Sequence, residues 1–238
     1  MIISNSKKFI FVHTHKCAGS TITDLLSPYS CWNDIELGVT TLGETLQGVY
    51  QQRFGLWKHA GAREIRNVLG EETFGAYFKF GFVRNPFFRV ISFYTFIAKL
   101  HSTLPGENKE VINTWPISKA FLECENFSDF IRHPRFVEPS MTQLLAEPIG
   151  DSFKVLVDYV GRVEDFGRDI AEVFQHIGLP APVKISPRNT SSNDLQRLHE
   201  FYSSNDDLAL IYEKYRSDFE IFGYSLEDAE VDLWRQRS

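Results

Sequence analysis

An α/β fold with a central, mostly parallel sheet flanked by helices is what this sequence predicts. Short apolar runs, FIFV at 9–12, YFKFGFV at 77–83 and FKVLVDYVGRV at 153–163, alternate with longer amphipathic segments. That alternation is the pattern of parallel strands joined by helical crossovers. With 238 residues, 43% of them hydrophobic and 24% charged, the chain can bury a substantial core. One domain over residues 1–238 is expected, with no internal repeat and no low-complexity segment.

The elements follow in order. A strand is predicted at about 8–13, and HTHKCAGST, 13–21, makes a tight small-residue turn into a helix running from Ser20 to about Leu26, ended by Ser27 and Pro28. Residues 31–58 are mixed, with a possible helix at LGETLQGVYQQRF. In HAGAREIRNVLG, 59–70, Ala62, Ile65, Val68 and Leu69 recur with charges between them and a glycine at the end, a short amphipathic helix. YFKFGFV reads as a buried strand, and RNPFFRVISFYTFIAKL as a helix with Asn85 at its cap and Pro86 in its first turn.

Residues 101–116 read as a loop, with helix resuming from Ser118 to about Ile131 and again near 139–147. FKVLVDYVGRV holds one or two strands, and EDFGRDIAEVFQHIGLP is a strongly periodic helix closed by Gly178 and Pro180. The polar loop KISPRNTSSND precedes two helices.

A formal charge of −6 argues against general nucleic-acid binding, whereas a small anionic ligand needs only a local basic patch. Three widely spaced cysteines, Cys17, Cys31 and Cys124, make a poor disulfide framework and suit a reducing compartment. MIISNSKKFIFV has too few consecutive apolar residues for a signal segment or a membrane span, so a cytoplasmic protein is expected.

The turn at 13–21 brings backbone N–H groups to a helix N-terminus, a ready anion site, and Lys16 adds a full charge. A nucleotide P-loop would place its lysine directly before the Ser or Thr; here Gly19 precedes Ser20 and Thr21 and the lysine stands earlier. A kinase with such a degenerate loop remains an alternative, with Asp158 as its metal-binding carboxylate. A phosphatase loop would place an arginine where Thr23 stands, and that reading fails. His13, His15 and Cys17 alternate as metal ligands on an extended strand would, yet the turn breaks the alternation and no fourth ligand lies near. Cys17 reads as a small apolar filler rather than a nucleophile.

The second informative stretch is GFVRNPFFRVISFY. A strand that delivers Arg84 at its C-terminal edge places a cation where ligands of open α/β sheets bind, and Ser92 returns about two helical turns later to the side of Asn85.

KKFIFVHTHKCAGSTI together with GFVRNPFFRVISFY resembles the two cofactor motifs of the sulfotransferases that use 3′-phosphoadenosine 5′-phosphosulfate (PAPS), most of all the carbohydrate branch. With VGRVEDF and the closing DFEIFGY, the resemblance spans residues 8 to about 224. Thr14 and His15 stand where that branch often has Ile-Pro, and Cys17 stands for Thr; the lysine and the Ala-Gly-Ser-Thr core remain. The resemblance implies a P-loop-like sulfotransferase fold, with Lys16, Ala18, Gly19, Ser20 and Thr21 holding the 5′-phosphosulfate and Arg84 and Ser92 the 3′-phosphate. Arg188 would close over the nucleotide. Lys16 would stabilise charge on the departing phosphate without a metal.

The acceptor, a carbohydrate or glycosylated small molecule, needs a general base for its hydroxyl proton. His59, between the two motifs at the start of a helix, is the expected base, with His13 and His15 next. Trp57 and Phe87 are candidates to line an acceptor or adenine pocket, and Lys58 to steer an acidic acceptor. A nucleotide-binding protein without turnover is the non-enzymatic alternative.

Overall fold

The computed structural model describes residues 1–182 and 195–225. In chain order its elements are β1 (Ile2–Ser4), β2 (Phe9–Val12), α1 (Gly19–Leu26), β3 (Ile35–Glu36), α2 (Thr41–Phe54), α3 (Ala62–Leu69), α4 (Glu71–Ala76), β4 (Phe78–Val83) and α5 (Pro86–Thr103). They continue with α6 (Gly106–Ile112), α7 (Pro116–Glu123), α8 (Phe127–Arg132), α9 (Met141–Leu145), β5 (Ala146–Ile149), β6 (Ser152–Val155), β7 (Tyr159–Arg162), α10 (Phe166–His176), α11 (Leu195–Phe201), α12 (Asn205–Lys214) and α13 (Arg216–Phe222). These sort into two compact units, each drawn from two stretches of chain.

The first unit comprises Met1–Arg84 and the chain from Met141 through α10. Its sheet has the order β3-β1-β2-β4-β7. β2, β4 and β7 are parallel, with Phe11 opposite Phe80 and Gly81 opposite Val160. β1 runs antiparallel to both β2 and β3, so the sheet is mixed. All four residues of β2 and the last five of β4 are buried, as parallel strands covered on both faces require. β5 and β6 form a separate antiparallel hairpin, turning at Gly150 with φ 58°.

The second unit comprises Asn85–Ser140 and helices α11 to α13. It absorbs much of the chain's phenylalanine: Phe87, Phe93, Phe127, Phe130, Phe136 and Phe219 share one core with Tyr202 and Tyr215. Arg89 lies wholly buried inside it, its Nη2 donating to Pro139 O at 2.6 Å and its Nη1 3.7 Å from the equally buried Asp218 carboxylate. A buried cation needs such partners. Asn85 caps α5 as predicted, its side chain accepting from Phe87 N at 3.0 Å with Pro86 in the first turn.

Several boundaries depart from expectation. The 101–116 segment is not a loop: α5 continues to Thr103 and α6 begins after Pro105, whose carbonyl accepts from Asn108 and Lys109 at 3.1 Å. The single helix expected over 118–131 is two, because the Asn126 side chain accepts from Asp129 N at 3.0 Å and restarts the helix as α8. The stretch 139–147 holds only the five-residue α9 before the chain turns extended. Among the described residues three helices, not two, follow residue 194, with α12 and α13 separated at Tyr215.

Candidate active site

The loop between β2 and α1 is shaped by backbone torsions that ordinary residues avoid. Lys16 has φ 62° and Ala18 φ 59°, both left-handed, at about 1–2 kcal/mol each for a residue with a side chain. Left-handed residues recurring in a turn fold successive N–H groups into a concavity suited to an anion. The concavity opens onto the eight-residue α1, whose N-cap Ala18 offers no side-chain acceptor and whose first turn has no acidic residue. First-turn N–H groups have no acceptor within their own helix, and the dipole there is positive.

Neighbouring side chains hold the loop in that form. Thr14 Oγ1 donates to Phe82 O, tying the end of β2 to β4. Cys17 is wholly buried, its Sγ donating to His15 O at 3.3 Å and lying 3.5 Å from Met141 Sδ. Met141 Sδ also accepts from Arg84 N at 3.3 Å, so one methionine supports both the loop and the end of β4. Lys16, Ala18 and Ser20 stay partly exposed, while Gly19 and Thr21 are buried.

Three histidines gather beside the loop. His59 Nδ1 lies 2.8 Å from His13 O. A carbonyl only accepts, so the proton sits on Nδ1 and the lone pair on Nε2. The His15 ring packs 3.7 Å from that of His59, tilted by 35°, and Trp57 meets His59 edge-on at 5.3 Å. Burial pushes the His59 imidazole well below the usual histidine value, and the neighbouring His15 acts in the same direction. His13 is pushed down likewise, chiefly by burial. Its Nδ1 is enclosed without a hydrogen-bond partner among the described residues.

Arg84, 4% exposed, ends β4 at the same C-terminal edge of the parallel strands from which the loop departs. Asp158 is elsewhere: it accepts from Lys79 N at 2.8 Å and pairs with Lys79 Nζ at 2.8 Å, at the N-terminal end of β4. A metal-binding carboxylate serving the loop would have to stand at the opposite edge, which removes the residue that the kinase reading requires.

The sulfotransferase family matches residues 1–225 of this chain. The chain belongs to that family. Among its relatives, an uncharacterised protein of Archaeoglobus fulgidus is 28% identical over 133 residues, 56% of this chain and 93% of its own length. The crystal structure of a sulfotransferase from Alicyclobacillus acidocaldarius aligns over 90% of this chain and 97% of its own, at 14% identity and a TM-score of 0.33.

Of the residues predicted for the site of this chain, the first unit brings together Lys16, Ala18, Gly19, Ser20, Thr21 and His59, with Arg84 at the same sheet edge. Ser92 lies in the second unit, buried on α5, and Arg188 lies outside the described residues. Phe87 is not a pocket residue: it is fully buried against Tyr202 and Phe219. Lys58 Nζ stands 3.6 Å from Glu44. Sequence reasoning missed the packing of His15 on His59, and also Met141. Neither leaves a local signal, since each depends on contacts between distant segments.

Proposed function

We propose that this protein is one sulfotransferase domain that moves the sulfuryl group of PAPS to a hydroxyl of a carbohydrate or glycosylated small acceptor. The observation that carries the reading is the loop with two left-handed residues between β2 and α1, bearing Lys16, beside the Arg84 end of β4. The residues fit such a donor: a concave backbone, a helix N-terminus without acidic groups, and a glycine at 19 where no side chain could be added.

PAPS, when bound, supplies a sulfuryl group already activated by its link to phosphate. Lys16 brings a cation to the point where charge grows as that link breaks, and the loop N–H groups hold the phosphate without reorganising. His59 Nε2 takes the acceptor's hydroxyl proton, and the resulting imidazolium is steadied by the Nδ1–H bond to His13 O. Arg84 holds the 3′-phosphate; for Ser92 and Arg188 a cofactor role rests on the resemblance alone. Cys17, Cys31 and Cys124 form no disulfide, which suits the reducing, cytoplasmic setting we assign. No described helix is long and apolar enough to cross a membrane.

Calorimetric titration tests the assignment, using adenosine 3′,5′-bisphosphate, adenosine 5′-monophosphate and ATP, each with and without Mg²⁺. The bisphosphate should bind tightest without metal. Charge-assisted hydrogen bonds are worth about 1.5–3 kcal/mol, so Arg84→Ala should weaken the bisphosphate about 10- to 100-fold and barely affect the monophosphate. Equal binding of the two nucleotides by the unmutated protein overturns the reading, and a preference for Mg²⁺–ATP restores the kinase.

A further inference from the structure

We propose that His15 is a positioning residue for His59, and that the two packed imidazoles work as one unit holding a single proton. The inference rests on the reading of His59 as the base and adds to it a second residue with a different task.

One hydrogen bond cannot fix a ring. The contact from Nδ1 to His13 O selects the tautomer and anchors one atom, leaving the ring free to swing about that point. What fixes its plane is packing: the His15 face at 3.7 Å, and the edge-on contact with Trp57, which also meets His15 at 5.9 Å. His13 cannot exchange roles with His59. It is 4% exposed, and its Nε2 fills the space beside Gly19 where a Cβ would otherwise lie.

The same packing limits charge. His15, Lys58 and the amino group of Met1 each disfavour charge on His59, while the bond to His13 O favours it; Glu44, 3.6 Å from Lys58 Nζ, and Glu36, which acts on the Met1 amino group, offset the cations in part. Two imidazolium rings at 3.7 Å in partly buried surroundings repel strongly. Only one of the pair therefore takes a proton. In turnover the acceptor's O–H bond breaks, the proton forms an N–H bond at His59 Nε2, and the charge is shared with Nδ1–H. A neutral His15 against its face leaves that step unopposed.

Two variants separate shape from charge: His15→Phe keeps a ring face and removes a proton site, whereas His15→Ala removes both. NMR titration of the His59 Cε1–H resonance in the free protein should give a higher midpoint in both. Turnover should fall about 10-fold or more in His15→Ala through loss of orientation, and His15→Phe should recover most of it. An unmoved His59 midpoint in both variants overturns the single-proton unit. Turnover no better in His15→Phe than in His15→Ala overturns the positioning role. The midpoint is read without substrate, so it stands apart from the base assignment; that assignment, and the positioning role with it, falls if His59→Ala turns over normally.

Discussion

A Cβ added at Gly19 would fall 1.9 Å from Nε2 of His13. The turn closes over a buried imidazole because residue 19 has no side chain, and the strand end and the helix start are thereby fitted to one another. Gly19→Ala should therefore destabilise the protein by about 1–3 kcal/mol, the range for overpacking a filled site. Much of the loss should return in the double variant with His13→Ala. Urea denaturation of the two single variants and the double one measures this, and simple additivity would show that the two residues do not compete for the same space.

Lys16→Ala should lower sulfuryl transfer about 100-fold or more, the scale for losing one preorganised donor at a site of developing charge. The lysine side chain is partly exposed, so the melting temperature should hardly change. Steady-state turnover alongside a thermal melt decides the point, and undiminished turnover would remove Lys16 from the mechanism.

His59→Ala should reduce kcat about 100-fold while leaving the affinity for adenosine 3′,5′-bisphosphate almost unchanged, because a base acts on the acceptor. Since the imidazole is held well below the ordinary histidine value, kcat/KM should stay level from pH 8 down past 6.5 and fall only at more acid pH. A pH–rate profile with its acid limb centred at 6.5 would contradict the environment described for His59.

Stability should follow pH in the same sense. His13 and His59 are both depressed in the folded state, so as pH falls below about 6.5 the unfolded chain binds protons that the native one refuses. Their neutral forms favour folding fully above that pH, and the advantage is lost progressively below it. Urea midpoints at pH 8, 6.5 and 5.5 should show a decline confined to the acid side, and His13→Phe should flatten it.

The parts of this architecture legible in the sequence are those written locally. FIFV, the small-residue turn and the following helix appear where they were read, as do β4 and the Asn85-Pro86 start of α5. β1 and β3, three and two residues long, carry no periodicity to detect, and so the antiparallel half of the sheet went unforeseen. The break before α8 depended on one asparagine acting as a cap rather than as a surface residue. At the site, His59 was singled out by position, but its tautomer and its contact with His15 arise from bringing 13–15 against 57–59, which spacing along the chain does not encode. Asp158 shows the converse: a plausible strand-end carboxylate by sequence, it pairs with Lys79 at the wrong edge.

The parallel pairings of the sheet also govern how this chain must be made. β2 at 9–12 has β1 on one side but waits for β4 at 78–83 on the other, and β4 waits for β7 at 159–162, so two strongly apolar strands each keep one edge unpaired through much of synthesis. Contacts so distant along the chain close slowly, and unpaired strand edges invite association with other chains in the interval. The Thr14 tether to Phe82 needs β4 beside it, which makes the shape of the anion loop a late product of folding. Nascent fragments ending before β4 would carry the whole HTHKCAGST sequence and still lack the partner that shapes it.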